Sequence, residues 1–184
     1  MMADALPRVT QILSDLGFVR YFGNNEQPMA LGRAVHKAIH YAEKGTLDWA
    51  ALHPDLEGPM AAYQKVKIDR ELSAGVTEIE LVHPTWRYIG HPDWIGPLNG
   101  LEGLALIDWK VSDAPDLKTA RLQLAGYKML WESNHPDRPI SGCFVGRLGK
   151  DGTYSFPEVS DPEAEQQFMA CVIVWWALQE RNRV

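Results

Sequence analysis

Residues 104–110, Leu104-Ala105-Leu106-Ile107-Asp108-Trp109-Lys110, run through four apolar residues and finish on an acid and a base two positions apart. An apolar run of this length reads as a strand. Charges at the end of a buried strand need partners. Side chains two apart on a strand share a face, so Asp108 and Lys110 are expected to point the same way. The segment therefore asks for a sheet with a polar site at one end.

The rest of the chain supplies the other elements. Residues 6–16 read as a short helix capped near Thr10 and stopped by Gly17. Residues 29–44 read as a second helix, with Leu31, Val35, Ala38, Ile39 and Ala42 at helical spacing and Gly45 behind them. A third helix is expected over 56–72, opening near Pro59. The period then changes to that of strands over 76–82, 87–95 and 103–110, separated by His83-Pro84 and by the turn at 96–100. Residues 116–131 read as a helix with its apolar face at Ala120, Leu124, Tyr127 and Trp131. A hairpin follows over 140–147 and 154–158, turning at Lys150-Asp151-Gly152, and a last helix starts at Asp161. This order predicts an α/β fold with a central mixed sheet flanked by helices. Residues 1–184 are expected to form one domain, with 1–28 as an N-terminal helical extension.

Apolar residues make up 46% of the chain, enough for a core. No apolar run approaches the ~20 residues that cross a bilayer, and the N-terminus lacks a basic start followed by an apolar stretch. The expectation is a cytoplasmic protein with no membrane partner. The two cysteines, Cys143 and Cys171, lie far apart without C-x-x-C spacing. They argue against a zinc ribbon and against an iron–sulfur cluster, which needs about four thiolates.

Chemistry concentrates around the 103–110 strand. Asp93 ends the strand before it, so a hairpin could set Asp93 beside Asp108 and Lys110. Two carboxylates and an amine on one face suit Mg²⁺, which takes hard oxygen ligands and keeps waters, one of which can serve as nucleophile. The lysine can orient that water or stabilise charge on a phosphate. An acid-x-lysine triplet alone is uninformative, since Asp116-Leu117-Lys118 repeats it. There, at a helix start, Asp116 is better read as a cap. The net charge of −6 opposes a nucleic-acid role only on average, because screening beyond ~10 Å lets a groove differ from the whole surface.

Pro92-Asp93 followed by Asp108-Trp109-Lys110 resembles the signature of the PD-(D/E)XK nucleases. The surroundings resemble the RecB-like exonuclease branch, especially small phage and prophage members. Gly32-Arg33-Ala34-Val35-His36 resembles that branch's G-x-x-x-H helix, Glu78 its acid on the first core strand, and Gln123-Leu124-Ala125-Gly126-Tyr127 its Q-x-x-x-Y motif. Val9-Thr10-Gln11-Ile12-Leu13 resembles its N-terminal opening. The resemblance implies a restriction-endonuclease-like core and a metal-dependent DNA nuclease, with exonuclease favoured. It implies that His36, Asp93, Asp108 and the Trp109 carbonyl hold Mg²⁺ or Mn²⁺. Glu78 would assist, Lys110 would position the attacking water, and the products would carry 5′-phosphates. Gln123, Tyr127 and Arg33 would support the site or the nucleic acid.

Several readings stay open at this point. Glu80 shares the expected strand face with Glu78. His36 and His40 could form an i, i+4 zinc pair. Lys118, Arg121 and Lys128, with Lys65, Lys67 and Arg70, are candidate phosphate contacts or ordinary surface charge. Trp86, Trp94 and Trp109 could stack on unpaired bases, with packing the favoured reading for each, and Trp175-Trp176 is read as packing. A structure-selective or site-specific endonuclease competes with an exonuclease, and a non-catalytic DNA-binding or recombination module is a reading of another class. DNA ends are the expected partner, in a bacterial or phage-infected cell, with a homo-oligomer or recombination protein alongside.

Overall fold

The apolar run ending in Asp108 and Lys110 is an interior strand of a four-stranded mixed sheet. The computed structural model describes residues 6–19, 26–111 and 114–181. In chain order these give helices α1 (Val9–Asp15) and α2 (Glu26–Glu43), a 3-10 turn (Trp49–Ala51), and α3 (Pro54–Asp69). Strands β1 (Leu81–Val82), β2 (Ile89–Gly90), β3 (Trp94–Pro97) and β4 (Leu104–Lys110) follow. The remainder is α4 (Leu117–Asn134), β5 (Ile140–Leu148), β6 (Tyr154–Ser155) and α5 (Pro162–Arg181). The sheet order is β3-β4-β5-β6, with β4 and β5 parallel across α4 and the other pairs antiparallel. This is the expected α/β architecture, a mixed sheet between helices.

Alternation along the strands divides the core in two. Ile95, Leu106 and Val145 face a cluster built with Val9, Ile12 and Leu13 of α1, the apolar face of α4, and Phe168 and Val172 of α5. Trp94, Ala105, Ile107 and Trp109 face the other cluster, with Val35 and Ile39 of α2 and Met60, Tyr63 and Val66 of α3. Both Trp94 and Trp109 are fully buried, as packing requires, and Trp175 is buried beside α1. Cys143 and Cys171 are buried and unpaired, and burial pushes the Cys143 thiol up to about 12. No helix among the described residues is long and apolar enough to cross a membrane.

Local signals set several boundaries. Gly17, at φ +78°, closes α1 with bonds from its N–H to Ser14 and from Phe18 N–H to Leu13. Thr10 lies inside α1 rather than capping it, because Arg8 is the extended residue before the helix. Helix α3 opens at Pro54, where a proline loses no helical bond, so Pro59 falls in its interior.

The strands expected over 76–82 and 87–95 are each broken in two. Val76 exchanges backbone bonds with Ile95, at 2.7 and 2.9 Å, while Leu81–Val82 pairs with β2. Between them Glu78 adopts φ +54°, and a left-handed residue cannot carry a pleat onward. In the second segment Ile89–Gly90 pairs with β1 and Trp94–Pro97 with β4. Pro92, which has no N–H to donate, lies in the break.

Candidate metal centre

The break at Pro92 builds the site. Trp94 pairs with Ile107, and the register carried two residues further sets Pro92 opposite Trp109. A proline cannot donate to the Trp109 carbonyl, so the ladder stops and both Trp109 peptide groups are left facing outward. Side chains take them. Asp93 Oδ2 accepts the Trp109 N–H at 2.8 Å. His36 Nε2 donates to the Trp109 carbonyl at 2.8 Å.

His36 comes from the middle of α2, and its Nδ1 lies 3.2 Å from Asp93 Oδ1. Burial opposes a charge on this ring, but the Asp93 carboxylate, Asp108 and the Trp109 carbonyl raise its pKa to about 9. Both ring nitrogens face acceptors, an arrangement that favours the protonated ring. Burial likewise opposes the Asp93 charge, yet His36, Lys110 and the Trp109 N–H hold that carboxyl below its usual range.

Asp108 is deeply buried on the α4 face of the sheet. Its Oδ1 accepts from Gln123 Nε2 at 2.9 Å. Oδ2 forms an ion pair with Lys110 Nζ at 2.8 Å and has no other partner among the described residues. Burial and the Asp93 charge push the Asp108 carboxyl up, against the pull of Lys110. Gln123 also reaches Tyr127 O–H at 3.2 Å and accepts from Lys110 at 3.4 Å. It therefore ties the acid, the base and the phenol together from one turn of α4. Gly90 lets this helix come close, since a Cβ there would sit 2.7 Å from the Tyr127 ring.

Glu78 completes the group. One ligand atom from each of His36, Glu78 and Asp93 lies within 4.8 Å of the others, so these three could hold a metal ion. Glu80 lies elsewhere, 3.1 Å from His91. His40 bonds Thr77 Oγ1 at 2.6 Å and stands outside the group. Two further observations fit a hard divalent cation. The donors are an imidazole and carboxylates. The buried Asp108 Oδ2 has Lys110 as its one charged partner among the described residues, and a cation would relieve the repulsion between Asp93 and Asp108.

The site opens into a cleft of about 960 Å³ whose walls include His36, Glu78, Asp93, Gln123 and Tyr127. Arg33 is exposed on its wall. Lys118 and Arg121 are not there: they border a separate depression near Asp161, and Arg121 pairs with Asp161 and Gln167. Lys65 donates to the Gly152 carbonyl, Lys67 pairs with Glu43, and Lys128 with Glu165. Asp116 caps α4 by accepting the Lys118 and Thr119 N–H groups at 3.0 and 3.3 Å, as expected for a helix start. The cleft's other cations, Arg8, Lys37 and Lys44, were missed in sequence. Arg33, Lys37 and Lys44 recur four and seven residues apart, a helical period that runs along the polar side of α2 onto the residue just past its end.

No protein-family model matches the sequence, and no curated protein does. Among solved structures, the chain is similar to a candidate exonuclease from Eubacterium rectale, at 11% identity and a TM-score of 0.52, over 88% of this chain and 68% of that one. It also aligns with the alkaline exonuclease LHK-Exo of Laribacter hongkongensis, at 12% identity and a TM-score of 0.46, over 97% and 89% of the two chains. At such identities the first likeness concerns the fold alone, and it agrees with the mixed sheet and flanking helices described above.

Proposed function

We propose that the chain is a divalent-metal-dependent DNA nuclease that hydrolyses phosphodiester bonds from strand ends. The observation that carries this reading is the convergence of His36, Glu78 and Asp93 beside the buried Asp108–Lys110 pair. Its resemblance to RecB-like PD-(D/E)XK nucleases and the exonuclease name of the Eubacterium rectale neighbour support the same reading.

His36, Asp93, Asp108 and the Trp109 carbonyl would hold Mg²⁺ or Mn²⁺, with Glu78 at the open side. A bound cation supplies positive charge for the phosphoryl oxygens and lowers the pKa of a water. Lys110, fixed between Asp108 and Gln123, presents an ammonium at the site. There it can orient the attacking water or stabilise charge on the phosphate. To serve as a ligand His36 would have to give up one of its two ring protons, so that one nitrogen could coordinate while the other N–H kept its acceptor. Cleavage of the bond to the 3′ oxygen would leave a 5′-phosphate on the product.

The test is digestion of end-labelled linear single strands, linear duplexes and closed circles with Mg²⁺, Mn²⁺ or EDTA. Linear DNA is expected to disappear with either metal and to survive in EDTA, while circles persist. Cutting of circles would make the enzyme an endonuclease. Full activity in folded Asp108→Ala would remove Asp108 from the chemistry.

A further inference from the structure

The outer face of α2 carries more than the metal-site histidine. Arg33, Lys37, Tyr41 and Lys44 follow one another at four, four and three residues and line the same cleft as His36. They form a stripe about 16 Å long at the helical rise, running down α2 and ending on Lys44, the first residue past it. None of the three cations makes an ion pair among the described residues, whereas Lys67, Lys110, Arg121 and Lys128 all do. Tyr41 is 40% exposed, so its ring is open to a stacking partner. The Lys37 ammonium stands 5.8 Å from the centre of that ring.

We propose that this face of α2 is the track along which a single-stranded nucleic acid enters the metal centre, an inference that rests on the nuclease reading above. Arg33, Lys37 and Lys44 hold successive backbone phosphates, and Tyr41 stacks on an unpaired base between them. Unpaired phosphate-binding cations set the backbone path. The exposed ring decides between single and double strands. A duplex hides its base faces in the stack and offers Tyr41 nothing to cover it, whereas a single strand exposes a π-face at every residue. Because α2 also carries His36, a strand lying along the helix is delivered to the metal ligands without a bend in the protein.

The track is tested by binding rather than cleavage, with the full chain in EDTA and a fluorescent oligodeoxythymidylate or a duplex of equal length as probe. The single strand is expected to bind more tightly. Tyr41→Ala should weaken it by roughly 5- to 150-fold, with Tyr41→Phe near wild type and the duplex affected little. Lys37→Gln and Lys44→Gln should each flatten the dependence of log K on log salt by about 0.7. Lys118→Gln, outside the cleft, should leave it unchanged. The track is refuted by absent binding, by an equal loss on duplex and single strand in Tyr41→Ala, by no loss at all, or by unaltered salt slopes in the lysine variants. Cleavage in Mg²⁺, assayed separately, distinguishes the failures. Binding as described without cleavage of any DNA overturns the nuclease reading alone, whereas normal cleavage by the α2 variants overturns the track alone.

Discussion

Glu43 provides the sharpest link between stability and the site. It sits at the end of α2 with a side chain only 2% exposed, and every group around it donates. Its Oε2 accepts the Gly75 N–H at 2.8 Å, and Oε1 accepts Lys67 Nζ at 2.5 Å and the Tyr63 hydroxyl. One carboxylate thus joins α2, α3 and the segment that leads to Glu78. Burial works against the charge, but these donors hold the carboxyl below its ordinary 4.5. In Glu43→Ala, Lys67, at 30% exposure, can turn to water. The Gly75 N–H and Tyr63 O–H cannot do so as easily. At about 1–3 kcal/mol for each unsatisfied donor, the loss should be about 4 kcal/mol. For a chain of this size that is a fall in Tm of roughly 8–16 °C. Glu43→Gln keeps the shape but turns an amide N–H₂ toward donors, and should cost about 2 kcal/mol.

Urea unfolding at constant m reads these losses. Since the folded carboxyl titrates below its unfolded value, its contribution is complete above about pH 4.5 and disappears as pH falls through the folded pKa. The gap between wild type and Glu43→Gln should therefore close in acid. Mn²⁺ titration reads the second half of the argument, because a loosened 75–78 segment no longer holds Glu78 against His36 and Asp93. A Glu43→Ala protein as stable as wild type would refute the clamp. A destabilised one with undiminished Mn²⁺ affinity would refute its link to the metal group.

Other expectations follow from the same geometry. His36 holds its proton up to about pH 9 in the metal-free protein, so Mn²⁺ affinity should climb with pH below 9, by up to tenfold per unit, and level off above it. His36→Gln should abolish that slope in a calorimetric titration. In the metal-free protein the His36–Asp93 pair stabilises fully between about pH 4 and 6.5; this is lost as pH rises through about 9, and again in acid as Asp93 protonates below its ordinary 3.8. Gly75→Ala would set a Cβ 2.2 Å from the Trp94 indole, and should cost about 1–3 kcal/mol in chemical unfolding. Glu78→Gly relieves a left-handed φ of +54° and should stabilise the fold by about 0.5–1 kcal/mol while weakening Mn²⁺ binding. A less stable Glu78→Gly protein would show that Glu78 makes contacts that outweigh its strain.

The fold was legible wherever one periodicity ran long enough. Helix α2 announced itself through Leu31, Val35, Ala38 and Ile39, and β4 through four apolar residues in a row. The short strands were not legible, since nothing in 76–82 or 87–95 distinguishes one strand from two that pair with different neighbours. Asp93, Asp108, Lys110, Gln123 and His36 lie together; four of them sit on α2, β4 and α4, whose faces the spacing had defined, whereas Asp93 lies in the break before β3. Glu78 and Glu80 looked equivalent on a presumed strand, and the left-handed turn at Glu78 separates them. The basic residues chosen from α3 and α4 illustrate another limit. Charge is visible in sequence, but whether an acid from a distant element neutralises it is not, as the Arg121–Asp161 pair shows. The stripe on α2 could have been found by asking the helical period of its polar residues as well as of its apolar ones.

The irregularities of the chain and its candidate chemistry coincide for a physical reason. Regular strands satisfy their own peptide groups and leave no polar atoms for other use. Here the ladder between β3 and β4 stops at Pro92, and the Trp109 peptide is satisfied instead by Asp93 and His36. A residue with an N–H at position 92 could donate to the Trp109 carbonyl and lengthen β3. That new bond would compete for the acceptor His36 now uses, and would draw Asp93 into the sheet. Gain in regular structure and loss of the ligand group would then be one event. The same holds at Glu78, where an extended φ would continue the pleat and turn the carboxylate away from His36. Local conflict of this kind is expected where a fold gives up regularity for a site. It accounts for the two places where strand periodicity fails meeting at one cleft.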